Sequence, residues 1–226
     1  MIGKQRSGPV CLACESLKEE ILRLAPENLI LKFYPIGLHE SPALLNRALQ
    51  RDILQKGNGV DIILAYGFCS GSTVGLYNPG GRLVLPGSHD CIRLLRGPGQ
   101  EQARSYFLSP SWVRYGRTPL QEREQLINKY GKEAGVWVFA NMFRHYRQIT
   151  FINTMDSWEG IEETLIAARE TARQLGWAFM VEQGSTRRLE RLLKGCWDFP
   201  DFLVLSPGER VEEGMFFRCN SFNPAR

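Results

Sequence analysis

The chain has 226 residues, 43% hydrophobic and 23% charged, so it can bury a sizeable apolar core without a disulfide scaffold. Its net charge of +4, from 28 Lys and Arg against 24 Asp and Glu, is spread along the sequence, and the clustered basic stripe expected of a nucleic-acid binder is missing. The start, MIGKQRSGPVCLAC, has no apolar run long enough for a secretion signal or a membrane span; the protein is expected in the cytoplasm, without a membrane or nucleic-acid partner, its six cysteines reduced.

Strands are expected at residues 9–13, 28–34, 61–66, 82–86, 149–153, 177–182 and 202–205. Several are apolar throughout rather than alternating, which suits strands covered on both faces. Between the second and third, residues 41–56 read as a helix, with Ser41 as N-cap, Pro42 in the first turn and Gly57 at the end. Residues 97–119 break the pattern: Gly, Pro and Ser are frequent, and Tyr106, Phe107, Trp112 and Tyr115 interrupt them. Residues 121–147 then read as helical. The clearest helix follows, with Trp158, Ile161, Leu165, Ala168, Ala172 and Leu175 forming one apolar stripe and Gly176 stopping it. Arg187, Arg188, Arg191 and Lys194 sit at helical spacing beside Leu189, Leu192 and Leu193 and read as a solvated helix face. Strands alternating with helices imply βαβ units and the α/β class with mostly parallel sheet, either as a single domain over 1–226 or as two Rossmann-like lobes meeting near residues 97–120.

Three cysteines directly follow strand-like stretches: Cys14 in PVCLACESL, Cys69 in VDIILAYGFCSGS and Cys91 in RLVLPGSHDCIRLL. In an open parallel sheet the carboxyl ends of the strands share one edge, where distant residues meet and ligands bind. These three thiols are therefore the expected metal ligands. Cys14 and Cys91 precede helical sequence, and a helix N-terminus favours the thiolate. Gly67, Gly71 and Gly75 allow sharp turns, and free amides there are expected to approach a ligand, an anion or a sulfide. His89 stands between Asp90, a ready N-cap alongside Ser88, and the strand, and can supply a metal ligand or a supporting donor. Cys11, inside the first strand, reads as a core residue, and Cys196 and Cys219 as packing residues. No GxSxG or HExxH motif occurs.

The motifs LACESLKEEI, GLHESPALL, DIILAYGFCSGSTVGL, LVLPGSHDCIRLLRG, SYFLSPSW, HYRQITFINT and FLVLSPGE, in this order from about Leu12 to Glu209, resemble the domain-of-unknown-function family numbered 1638. The resemblance implies the cysteine positions Cys14, Cys69 and Cys91 and histidines at His39, His89 and His145. It also implies Arg where this chain has Gly87, and Thr-Pro-Gly-Trp where it reads SPSW at 109–112, so a contact of that Arg with an anionic substrate or partner is expected to be altered here. Members are often encoded near corrinoid-dependent methyltransferases and corrinoid proteins. The expectation is a metalloprotein serving corrinoid-dependent methyl transfer. An iron-sulfur cluster is preferred, because reactivating oxidised corrinoids needs low-potential electrons, with a three-thiolate zinc as the other filling. Two other readings stand beside it. One is a non-catalytic accessory protein for a corrinoid protein or methyltransferase, with His39 or His145 facing the cofactor; the other is a thiol enzyme with Cys69 or Cys91 as nucleophile and His89 as base.

Overall fold

The computed structural model describes residues 8–56, 59–96, 104–154 and 161–219. In chain order the elements begin β1 (Val10–Cys14), α1 (Lys18–Leu24), β2 (Ile30–Tyr34), α2 (Pro42–Gln55), β3 (Ile62–Ala65), β4 (Leu83–Pro86), α3 (Ile92–Leu95) and β5 (Ser105–Leu108). They continue with α4 (Pro110–Tyr115), α5 (Pro119–Tyr130), α6 (Lys132–Met142), β6 (Gln148–Asn153), α7 (Ile161–Leu175), β7 (Ala178–Gln183), α8 (Arg187–Leu193), β8 (Phe202–Leu205) and α9 (Glu213–Phe216). The chain forms two compact units, one running up to Leu95 and resuming at Ser185, the other spanning Arg96–Gly184.

The first unit holds a five-stranded sheet in the order β2-β1-β3-β4-β8, with β2, β1, β3 and β4 mutually parallel and β8 antiparallel to β4. Every residue of β1, β3 and β4 is buried, which is why these strands read as unbroken apolar runs. Strand β2, at the edge, is mostly half-exposed and carries Lys32. Leu17, Ile21, Leu45, Leu49, Ile53, Leu189 and Leu192 from the flanking segments are fully buried around the sheet. Each such side chain contributes about 1.5–3 kcal/mol of transfer free energy, so together they outweigh any single polar contact described below. Between β1 and β3 the winding reverses: α1 leads from β1 outward to β2, and α2 carries the chain back across β1 to β3. That reversal opens a crevice at the carboxyl ends of β1 and β3.

The second unit is a three-stranded parallel sheet, β5-β6-β7. Its core is Leu108, Ile149, Phe151, Ala168 and Ala172, with Ile161 and Leu165 packed against it, so the stripe expected on α7 faces inward as read. Trp158, like Gly57, lies outside the described residues. A buried ion pair sits here: Arg96 donates from Nε and Nη2 to the two carboxylate oxygens of Glu182 at 2.9 and 3.0 Å, and its guanidinium stacks 4.0 Å above Phe107.

Three sequence expectations change. Ser105–Leu108 is a strand rather than a break; at four residues among Gly, Pro and Ser it is too short to show a period, and it becomes a strand by pairing with β6. The expected helix over 121–147 is instead two helices that end at Met142, separated by Gly131, whose φ of 80° no ordinary helical residue adopts. Finally, β8, last of the expected strands, does not join a lobe that follows residues 97–120 but returns antiparallel to the first sheet beside β4. Ser41 occupies the N-cap position of α2 without a side-chain cap bond.

Candidate functional site

The three thiols converge at the winding reversal of the first sheet. Cys14 is the last residue of β1, Cys69 follows β3 by four residues and Cys91 follows β4 by five. The sulfurs of Cys69 and Cys91 are 3.9 Å apart, and Cys91 also hydrogen-bonds Cys14, so Cys91 is shared by both pairs. Tyr66, the buried residue that ends the β3 run, feels all three thiols electrostatically. Cys11 is wholly buried three residues before Cys14. Side chains alternate along a strand, so the odd spacing points the two to opposite faces, and Cys11 is a core residue whose thiol burial pushes up to about 12.

Glycine makes the convergence possible. A Cβ on Gly67 would stand 2.4 Å from the Ser88 carbonyl oxygen and 2.9 Å from the Asp90 nitrogen, so only glycine lets the two strand-end loops touch. The contact is then stitched by Phe68 N–H donating to the Ser88 carbonyl and Cys69 N–H to the His89 carbonyl, both at 2.8 Å. Cys69 and Ser70 adopt left-handed backbone (φ 44° and 56°), a conformation that non-glycine residues rarely take and that the surrounding loop must enforce. That loop is clamped from outside by Asn46, which donates to the carbonyls of Ser72 and Val74, and by Gly75 N–H bonding Val211.

Two electrostatic expectations are overturned. The amides of Phe68, Cys69, Gly71, Ser72, Val74 and Gly75 are spent on carbonyls of the protein, so those of Gly71 and Gly75 are not free for a ligand; Gly67 serves close approach and Gly71 turning. Nor are Cys14 and Cys91 activated as thiolates. Cys14 is pushed far above its ordinary value by its hydrogen bond to Cys91 and by burial. For Cys91 the bond to Cys14 acts downward, but the bond to Cys69 and burial outweigh it. The helical segments that follow are only a single 3-10 turn and the four-residue α3, too short to offset these effects.

The histidines divide. His89 lies on the site loop with Nδ1 3.2 Å from Asp90 Oδ2 and its ring 6.4 Å from Phe68. Asp90 accepts from the Arg93 amide at 2.9 Å and so caps α3; although burial pushes its carboxyl up, His89 and that amide hold it below the usual range. His39 sits on the 3-10 turn Ile36–Glu40 of the first unit, its Nδ1 bonded to the Ile36 carbonyl. His145 belongs to the second unit, where Nε2 accepts from Arg144 at 2.8 Å. Among the described residues, no group of three or more His, Cys, Asp or Glu side chains is already arranged to enclose a metal ion.

A scan of family models matches residues 33–193 to the family described as "Protein of unknown function (DUF1638)". The chain belongs to this DUF1638 family. No curated protein and no solved structure matches it. Cys69, Cys91 and all three histidines lie within the matched residues, whereas Cys14 precedes them. At Gly87, where the resemblance implies Arg, a Cβ would stand 2.2 Å from the sulfur of Cys219, so no larger residue fits there beside the C-terminal segment. Cys219 is thus a packing residue, as expected, but Cys196 is exposed, because the turn after α8 leaves it outside the core. Among the described residues, no helix is long and apolar enough to cross a membrane.

Sequence reading missed Tyr66 and Asn46. Tyr66 was visible as the aromatic that closes an apolar run beside a glycine; Asn46 carries no local signal.

Proposed function

We propose that Cys14, Cys69 and Cys91 hold one thiophilic metal ion, with a fourth position open to a substrate. The observation that carries this reading is the 3.9 Å separation of the Cys69 and Cys91 sulfurs at the sheet's winding reversal. Two thiolates on a tetrahedral zinc, with bonds near 2.3 Å, stand about 3.8 Å apart. Thiolates of a cubane cluster bind separate irons and stand farther apart, so the spacing favours a single ion over the cluster. Closing the set around an ion calls for a side-chain rotation, since the enclosing arrangement is not already in place. Cys69 is the most accessible of the three thiols, which puts the open position on its side.

An ion held this way supplies Lewis acidity, lowering the pKa of a bound thiol or similar nucleophile for methyl transfer. The chain's own residues do the rest. Tyr66 closes the inner wall, Gly67 sets the spacing of the two loops, and the Asp90–His89 pair offers a proton-accepting group beside the opening. Corrinoid-dependent methyl transfer is the setting the family resemblance implies.

The test is metal analysis of protein prepared without oxygen, combined with single Cys→Ser substitutions. One zinc per chain, lost when Cys14, Cys69 or Cys91 is replaced and kept in Cys196→Ser, is the expected result. Brown protein with iron and sulfide would move the assignment to a cluster on the same ligands. Metal-free protein that captures a corrinoid protein would replace it with the accessory role.

A further inference from the structure

Helix α8 was expected to turn its basic residues to solvent, yet Arg188 does not comply. Its Nε and Nη2 are buried and have no hydrogen-bond partner among the described residues. A guanidinium cannot shed its proton in a protein, so the charge stays where it is. Burial, the largest influence, disfavours that charge; the attraction of Asp201 and Cys219 opposes burial, and Arg191 and Arg93 add repulsion. Asp201 does not bond these two atoms; its Oδ2 is held by Arg191 Nη1 at 2.6 Å, while Arg191 Nη2 also holds Asp198 at 2.9 Å.

The free atoms form the edge of the guanidinium that takes a carboxylate or phosphate through two parallel bonds. Elsewhere in this chain the same edge of Arg96 is filled in that way by Glu182. We infer that Arg188 seats an oxyanion, the carboxylate or phosphate end of a small molecule that enters at the carboxyl end of β4. The place follows from its neighbours. Gly87, directly after β4, donates its N–H to the Asp201 carbonyl at 2.9 Å and lies against Cys219, so two of the groups acting on Arg188 meet at Gly87. Arg93, a third, is two residues beyond Cys91. The oxyanion seat and the thiols therefore share one end of the sheet. That the molecule seated there is also the substrate of the thiol site rests on the reading above; the seat itself does not.

The test uses the full chain and two probes, sodium acetate and inorganic phosphate, against sodium chloride at equal ionic strength. Thermal midpoint and the ¹⁵N resonance of Arg188 Nε are followed. Expected is saturable stabilisation by at least one probe with a shift of that resonance. Response to acetate alone assigns a carboxylate, and response to phosphate alone assigns a phosphate. Arg188→Leu abolishes the response, Arg188→Lys weakens it about tenfold by losing the two-point bond, and Arg187→Leu leaves it intact. Cys91→Ser keeps the oxyanion response while losing metal, which separates failure of this inference from failure of the metal site. The inference is overturned if neither probe acts beyond chloride, if both Arg188 variants respond like the parent, or if the Nε resonance reports a carboxylate of this chain that added oxyanions cannot displace.

Discussion

Replacing Gly67 by alanine tests whether the thiol spacing is set by backbone contact between the loops after β3 and β4. The added methyl would stand 2.4 Å from the Ser88 carbonyl oxygen, 2.8 Å from its hydroxyl and 2.9 Å from the Asp90 nitrogen. Carbon and oxygen need about 3.3 Å or more, so the loops must part by roughly 1 Å. Parting disrupts the bonds of Phe68 and Cys69 to Ser88 and His89, about 1 kcal/mol each, and overpacking adds about 1–3 kcal/mol. The expected loss is about 3–5 kcal/mol, seen as a fall of roughly 6–20 °C in the thermal midpoint at 2–4 °C per kcal/mol. The Cys69–Cys91 separation widens with it, so zinc affinity measured by chelator competition falls at least about tenfold, the effect of about 1.4 kcal/mol of ligand misplacement. Gly37→Ala is the control, because nothing lies within 4 Å of its added methyl. A Gly67→Ala protein as stable as Gly37→Ala, with unchanged zinc affinity, would refute the reasoning.

Other perturbations probe the scaffold. Asp52 is buried and binds Lys32 Nζ at 2.5 Å, Arg51 Nε at 3.4 Å and the Tyr34 hydroxyl. Burial pushes its carboxyl up, but the Lys32 and Tyr34 hydrogen bonds outweigh it and hold the folded pKa below the ordinary 3.8. Its contribution is therefore complete above the unfolded pKa and fades as pH falls through the lower folded value. Asp52→Asn should cost about 2 kcal/mol at pH 7 in urea unfolding, with the gap to the parent closing as the medium is acidified below about pH 4. Arg96→Met leaves the buried Glu182 carboxylate without its cation and should cost about 3–5 kcal/mol; a double variant with Glu182→Leu that recovers none of this in a double-mutant cycle would show the pair is not coupled. Gly131→Ala, forced to a φ of 80° between α5 and α6, should cost about 1–3 kcal/mol in the same assay, and a neutral result would mean the hinge relaxes.

The central strands were legible because β1, β3 and β4 are buried on both faces and leave unbroken apolar runs. The same logic placed Cys14, Cys69 and Cys91 after strands, and hence at one sheet edge. It failed for Ser105–Leu108, four residues that become a strand only by pairing with β6. It failed for Arg188 too, since the helical spacing that made it solvated says nothing about the tertiary packing that buries its Nε and Nη2. The expected thiolate character of Cys14 and Cys91 was likewise a local argument, overturned by burial and by the neighbouring thiols.

Local pattern by itself determined that this is an α/β protein with cysteines at strand ends, because hydrophobic period and turn residues act over a few positions. Tertiary structure alone decided that the winding reverses between β1 and β3, that β8 returns to the first sheet and that Gly67 lets two loops bring sulfurs to 3.9 Å. Those outcomes depend on contacts between segments far apart in the chain, whose free energies no short stretch of residues encodes.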